Sequence, residues 1–283
     1  FSAAGIKVFS LSYDEHDALA DLREAYGITY PLLSDPDSKV IKEFGILNTL
    51  IGANEHPWLG IPFPGAYVID NHGFISHKFF ENSLAMRVGP EILLRAAQGE
   101  TVALAEKEFE PPAETTWDVF LDGERLAPSL IKDLVARIKV PAGRHLYADP
   151  APEGNVPVTF VVDANPQIVT KDIQMPSSET LTLGGTGEVI QVYERGIELR
   201  LPITVNTHLA AVTTETRDIT IAGELQWQTC DDEVCDLPRR ERFELTVPLA
   251  SILPSELNGE PDGEVVRAMN GVQHFERMAA RKR

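Results

Sequence analysis

The chain has 283 residues, a length for two domains rather than one. Its 43% apolar content can fill a sizeable core, and no apolar stretch approaches the roughly 18 residues of a membrane span. With 43 acidic against 25 basic residues the formal charge is -18, which argues against nucleic acid and anionic membrane surfaces as partners, because phosphate contacts need clustered Lys and Arg. The acidity reads as a solubility feature. The chain opens on Phe1 and passes quickly into a strand pattern, so we expect a processed chain or a piece of a longer one, and the lack of a leader says little about compartment.

In chain order, Val8 to Ser12 reads as a buried strand. Asp14 to Tyr26 reads as a helix: Leu19, Leu22 and Tyr26 fall at helical spacing, Asp14 and Glu15 open it, and Gly27 ends it. Tyr30 to Leu33 is a short apolar run stopped by the turn and capping cluster Ser34-Asp35-Pro36-Asp37. Val40, Ile41 and Phe44 mark a short helix ended by Gly45. Ala66 to Asp70 is a strand, Asn71-His72-Gly73 a hairpin turn, and Phe74 to Phe80 the returning strand. Pro90 to Ala97 closes the unit as a helix. This order predicts an α/β domain over residues 1–100. Residues 101–116, charged and then proline-bearing, read as a linker.

From Trp117 the character changes. Trp117 to Leu121 ends in the turn signal Asp122-Gly123. Leu130, Ile131, Leu134, Val135 and Ile138 fit one helix face or a strand, and periodicity leaves the choice open. Val158 to Val162, Val189 to Tyr193 and Ile197 to Val205 are short strands cut by Pro, Gly and Asn. Two clean period-2 runs follow: Ile219, Ile221, Leu225 and Trp227, then Phe243, Leu245, Val247 and Leu249. Residues 117–256 are therefore predicted to form an all-β sandwich. The tail, residues 257–283, carries Val265, Met269, Val272, Phe275 and Met278 at helical spacing and is expected to be helical.

The chain has two cysteines, five positions apart, between the two alternating runs: Cys230-Asp231-Asp232-Glu233-Val234-Cys235. This predicts a hairpin tip with a four-residue loop and a cysteine at each base. Cross-strand Cβ atoms there lie roughly 4.5–5.5 Å apart, within reach of a disulfide after small adjustment. A bond closing so small a loop removes little unfolded-state entropy, which argues mildly against a purely structural staple. Asp231, Asp232, Glu233 and Asp236 disfavour a thiolate, so raised thiol pKa values are expected, with Arg239 and Arg240 as possible offsets. Three readings stand: a redox-active pair, which we favour; a structural hairpin disulfide; and a metal site, which lacks the second Cys or His pair that zinc needs.

Other candidates point to bland roles. His145 reads as a packing or hydrogen-bonding residue and His56 as a loop residue. His72 and His77 bracket a hairpin without a third ligand. Gly184-Gly185-Thr186-Gly187 lacks the Lys-Ser/Thr of a phosphate loop and precedes a strand, so it reads as a hairpin turn. No nucleophile elbow is present, and neither cofactor nor metal is expected.

Two regions resemble known families. Ile6-Lys7-Val8-Phe9-Ser10-Leu11-Ser12-Tyr13-Asp14, Tyr30-Pro31-Leu32-Leu33-Ser34-Asp35 and Pro64-Gly65-Ala66-Tyr67-Val68-Ile69-Asp70 resemble the C-terminal two-thirds of a peroxiredoxin of the alkyl hydroperoxide reductase/thiol-specific antioxidant type, with a thioredoxin-like fold. The resemblance implies a cis bond between Phe63 and Pro64. It also implies that the cysteine-bearing strand–helix unit is missing, since no residue from 1 to 229 is cysteine, and that the strand at Val8 to Ser12 presents an open edge. No thiol-dependent peroxide turnover is expected from the chain as given. Val140-Pro141-Ala142-Gly143-Arg144-His145-Leu146-Tyr147 and Leu225-Gln226-Trp227-Gln228-Thr229-Cys230-Asp231-Asp232-Glu233-Val234-Cys235-Asp236-Leu237-Pro238 resemble the N-terminal domain of the thiol:disulfide interchange protein DsbD, an immunoglobulin-like sandwich. That resemblance implies that Cys230 and Cys235 exchange electrons with a thiol–disulfide partner protein, one forming a mixed disulfide and the other resolving it. It further implies a periplasmic or otherwise extracytoplasmic site of action. The expected whole is an N-terminally truncated thioredoxin-like domain followed by an immunoglobulin-like β-sandwich, acting as a thiol–disulfide oxidoreductase. The alternative is a non-catalytic interaction module with a structural disulfide.

Overall fold

The computed structural model describes residues 1–52, 58–81, 86–100, 109–183, 187–206, 217–231 and 233–250. His56 and the tail expected to be helical lie outside them, as do residues 101–108 of the expected linker. By internal contacts the chain divides into two units, with the boundary between Arg87 and Val88.

The first unit is the α/β part. Strand β1 (Ser10–Ser12), helix α1 (His16–Tyr26) and strand β2 (Leu32–Ser34) form a β-α-β crossover, with β1 and β2 parallel and Ser10 opposite Leu32. Helix α1 stops at Gly27, whose φ of 59° lets its N–H reach back to Glu24 O, while Ile28 N–H reaches Arg23 O. Helix α2 (Lys39–Glu43) is started by Asp35, whose buried carboxylate accepts the N–H groups of Lys39 at 2.9 Å and Ile41 at 2.8 Å. Strands β3 (Gly65–Ile69) and β4 (Ile75–Phe80) make a hairpin whose turn is held by the Asp70 carboxylate accepting from His72 and Phe74 N–H. Tyr13 and Ile41 are the buried centre, packed by Leu11, Ile46, Leu47 and Ile61.

The expected cis bond before Pro64 is not found: the cis X–Pro bond of the described residues is Asp149–Pro150. Phe63 N–H instead donates to Ile46 O at 2.6 Å, tying down the residue before the proline where the chain enters β3. The trans form is the ordinary preference of an X–Pro bond.

The second unit is the sandwich. Strand β5 (Arg87–Val88) falls on the boundary, and helix α3 (Pro90–Ala97) follows, then β6 (Thr116–Leu121), β7 (Leu130–Lys139), β8 (His145–Tyr147), β9 (Thr159–Val162), β10 (Ile168–Thr170) and β11 (Glu179–Thr182). Then come β12 (Val189–Tyr193), β13 (Gly196–Val205), β14 (Arg217–Trp227), β15 (Thr229–Cys230) and β16 (Arg239–Leu249). The sheets run β10-β13-β7-β5 with β6 also on β7, β11-β12-β8-β15, and β16-β14-β9. Of the glycine cluster read as a hairpin turn, residues 184–186 lie outside the described residues; β11 and β12 pair on either side of them, and Gly187 N–H donates to Leu183 O at 2.8 Å.

The core is the facing side of these sheets: Leu134, Ala136, Ile138, Leu199, Ile203, Ile219, Ile221, Leu225 and Trp227. Their period-2 spacing on β14 is the alternation visible in the sequence. Gly223 interrupts that alternation because the backbone of β9 passes too close for a side chain: a Cβ there would sit 2.2 Å from Val161 O.

Strand β7 settles the ambiguity of residues 130–138. Its even residues Leu134, Ala136 and Ile138 enter the core, and its odd residues Ile131, Asp133 and Val135 are buried as well. A strand covered on both faces shows no alternation, and so mimics a helix pattern. The cover includes α3. Arg95 donates to Asp133 at 2.6 Å and pairs with Asp122, while Lys132 donates to Glu91 at 2.5 Å. Arg200 extends the network to Asp122 and Asp133, and Arg137 binds Glu198 at 2.8 Å. The sequence reading ends the first domain with this helix; its ion pairs tie it to β6 and β7 of the second unit.

Candidate functional site

The ladder between β14 and β16 ends at Trp227 opposite Arg239, so the cysteine loop is not the tip of an unbroken hairpin. After Trp227 the chain crosses to the other sheet: Thr229 pairs with Leu146 and Cys230 with His145 of β8. Gln228 makes the crossing possible. Its buried side chain accepts Val156 N–H at 2.9 Å and donates to Asp236 O at 3.0 Å, replacing ladder bonds that the crossing gives up.

Cys230 and Cys235 still face one another across the four-residue loop and are joined by a disulfide with Cα atoms 4.1 Å apart. Asp231 N–H donates to Val234 O at 3.0 Å and Asp236 N–H to Thr229 O at 2.9 Å, bracketing the pair. The Asp231 carboxylate accepts Glu233 and Val234 N–H at 2.9 and 2.8 Å, and these bonds hold its pKa below the usual carboxylate range.

The two sulfurs occupy different surroundings. Cys230 is 0% exposed, in an apolar cluster with Tyr147, Ile190 and Val192. Cys235 is exposed, on a rim with Val234 at 60% and Leu237 at 85% exposure. Two side chains reach the Cys235 sulfur: the Tyr147 hydroxyl at 3.6 Å and Asn155 Nδ2 at 3.8 Å. Burial raises the Tyr147 pKa, so this hydroxyl keeps its proton near neutrality and is available as a donor to sulfur. His145 packs edge-on against the Tyr147 ring at 5.4 Å, the packing role expected of it.

The cation at the loop is Arg144. Its Nη2 lies 3.1 Å from Asp236 and 3.3 Å from Thr229 O, and its Nη1 3.9 Å from Asp231. Arg239 and Arg240, the sequence candidates for offsetting the acidic loop, are engaged elsewhere: Arg239 with Glu241 at 4.0 Å, Arg240 with Glu224 at 3.3 Å and Gln226 at 2.9 Å. Both lie within the β14–β16 ladder, Arg239 opposite Trp227 and Arg240 opposite Gln226, where side chains project from the faces of the sheet rather than towards the loop. Arg144 and Tyr147 lie in a stretch singled out by its resemblance, and Gln228 in another, but spacing assigned them no role; Asn155 carries no signal at all.

His72 sits in the β3–β4 turn, and His77 on β4 lies 6.1 Å from the Phe79 ring, stacked on it. Among the described residues no group of three His, Cys, Asp or Glu is placed to hold a metal ion. Pro64 lies in the first unit, at the entry to β3.

The first unit is an α/β unit of thioredoxin type, and the second is an immunoglobulin-like sandwich that carries one disulfide. Residues 1–78 match the AhpC/TSA family, and residues 120–247 match the family of the thiol:disulfide interchange protein DsbD, N-terminal, so the chain joins a segment of each. A protein of Mycobacterium tuberculosis named as a peroxiredoxin is 47% identical over 45 residues, 16% of this chain and 29% of that protein. The chloroplastic peroxiredoxin Q of Suaeda salsa is 32% identical over 75 residues, 26% of this chain and 32% of that protein. The chain thus spans under a third of the length of these relatives. Among solved structures, the reduced N-terminal domain of DsbD from Neisseria meningitidis is 16% identical with a TM-score of 0.27, covering 40% of this chain and 76% of that one. The N-terminal periplasmic domain of ScsB from Proteus mirabilis is 14% identical with a TM-score of 0.30, covering 48% and 47%. No helix of the described residues is long and apolar enough to cross a membrane.

Proposed function

We propose that this chain passes electrons by thiol–disulfide exchange through Cys230 and Cys235, outside the reducing cytoplasm, with a partner protein that brings its own reactive thiol. The observation that supports it is the asymmetry of the pair: Cys235 is an exposed residue beside the exposed Val234 and Leu237, and Cys230 is sealed in a core cluster. In the reductive direction the partner's thiolate attacks Cys235 Sγ. The Cys230–Cys235 bond breaks, its electron pair leaves on Cys230, and that sulfur takes a proton. A second partner thiolate then attacks the mixed disulfide at the partner's sulfur, releasing Cys235 as a thiolate that is protonated in turn. Two thiols have become a disulfide, and the protein's disulfide has become two thiols. Tyr147 and Asn155 stand where they can donate hydrogen bonds to the Cys235 sulfur as it gains charge. The extracytoplasmic placement rests on the disulfide, which the cytosol would keep reduced.

The test is the reduction potential of the pair, by equilibration in glutathione buffers and trapping for mass spectrometry. A value in the range of known exchangers, roughly -120 to -270 mV, is expected. A value below about -300 mV would make the bond a structural staple and the domain a non-catalytic interaction module. A second expected result concerns peroxide. With no cysteine from 1 to 229 and Cys230 buried, thiol-dependent peroxide consumption should equal that of the Cys230→Ser/Cys235→Ser double variant. Turnover clearly above that control would place peroxidase chemistry somewhere other than proposed.

A further inference from the structure

We propose that Arg144 is a positioning residue of the exchange site, whose guanidinium, seated between Asp231 and Asp236, offsets the acidic loop and makes the pair selective for incoming thiols by their charge. This rests on the exchange reading above.

Four acidic residues, Asp231, Asp232, Glu233 and Asp236, lie within one or two positions of a cysteine. Left alone, they would repel any thiolate approaching Cys235. Arg144 comes from 85 residues upstream of Thr229, on the turn between β7 and β8, where Gly143 at φ 78° and the bond from Arg144 N–H to Pro141 O fix the side chain's starting point. One guanidinium then spans the base of the loop: Thr229 O and Asp231 beside Cys230, and Asp236 beside Cys235. The side chain is only 24% exposed, and a planar fork in a partly desolvated site holds its charge in a fixed direction. The other ionisable side chains described near the pair are His145, buried and edge-on to the Tyr147 ring, and the exposed Glu233. Among the described residues, the arginines that follow the loop pair away from it, so Arg144 carries the local positive charge.

Attack on Cys235 brings a negative sulfur into this field and spreads the charge over three sulfurs until Cys230 leaves. A positive group next to both cysteines favours that state for an anionic thiol more than for a cationic one. Two thiols of opposite charge therefore separate an electrostatic role from a merely structural one.

The experiment uses the full 283-residue chain in its oxidised form and measures second-order rate constants for reduction by glutathione, which is anionic, and by cysteamine, which carries an ammonium group. Arg144→Gln should lower the glutathione-to-cysteamine rate ratio by about fivefold, the size of one unit charge a few ångströms away in water. The change should shrink at about 0.5 M salt. Asp236→Asn in the Arg144→Gln background should return the ratio towards wild type, since it removes one negative charge for the positive one lost. Arg144→Lys, which keeps the charge without the fork, should hold the wild-type ratio, and it tests the assignment even if Arg144→Gln does not fold. A ratio unchanged in Arg144→Gln, equal acceleration or slowing of both thiols, or a shifted ratio in Arg144→Lys would each overturn the role of Arg144. Failure of the wild-type chain to exchange with either thiol would overturn the exchange reading itself, and this proposal with it.

Discussion

Cys230→Ser is expected to leave a chain whose remaining thiol, Cys235, reacts readily with a chromogenic disulfide, whereas in Cys235→Ser the remaining Cys230 should react at least ~100-fold more slowly. Cys230 is 0% exposed among Tyr147, Ile190 and Val192, so a reagent reaches it only through local opening of the β8–β15 edge. An opening that costs about 3 kcal/mol slows reaction by roughly 100-fold. Cys235 needs no opening. The same asymmetry predicts which variant traps a partner. In the reverse direction, where the Cys235 thiolate attacks an oxidised partner's disulfide, Cys230 is the resolving thiol, so Cys230→Ser should accumulate the mixed disulfide on Cys235 and Cys235→Ser should accumulate none. Equal labelling of the two single variants would remove the order of steps proposed above, even if the pair proved to be an exchanger.

Asp133→Ala should lower the unfolding free energy of the sandwich by about 3–5 kcal/mol, the usual cost of stripping one partner from a buried ion cluster. Asp133 is 3% exposed and takes Arg95 at 2.6 Å and Arg200 at 3.3 Å, two guanidiniums whose side chains are themselves 15% and 12% exposed. Without the carboxylate these charges stay buried with less compensation: Arg95 keeps Asp122, and Arg200 keeps Asp122 and Glu198. Asp118 provides the contrast. It is 51% exposed and 3.6 Å from Arg137, so Asp118→Ala should cost under ~1 kcal/mol. Urea denaturation of both variants, read as midpoints with the slope held common, gives the two numbers. A loss below about 1 kcal/mol for Asp133→Ala would mean that the cluster relaxes into water and does not hold α3 to the sheet.

Legibility followed the range of the forces. Helices α1 and α3, the β3–β4 hairpin and the long strands β14 and β16 were readable because their signals are local: 3.6- or 2-residue periodicity, an N-terminal proline, a glycine after the last turn. Helix α3 was predicted over its whole length, Pro90 to Ala97, yet its sheet partner was not, since the ion pairs that dock it join residues about 40 positions apart. Strand β7 was ambiguous for the opposite reason: burial on both faces erases the alternation that would identify it. A cis bond at Pro64 followed from resemblance, not from any residue property, and it is not there.

The sequence by itself determined that the chain has two kinds of structure, that its thiol chemistry can lie only at Cys230 and Cys235, and that this pair sits in an acidic loop between two alternating strands. Cysteine count, charge and periodicity are properties of the chain and need no partner in space. Only the tertiary structure decided that the loop leaves one sheet for the other at Gln228, which sinks Cys230 and leaves Cys235 at the rim. The same crossing brings Arg144, Tyr147 and Asn155, each 80 or more residues away, to the pair. Side chains that distant meet only when β15 pairs with β8, so their roles could not be read from spacing along the chain.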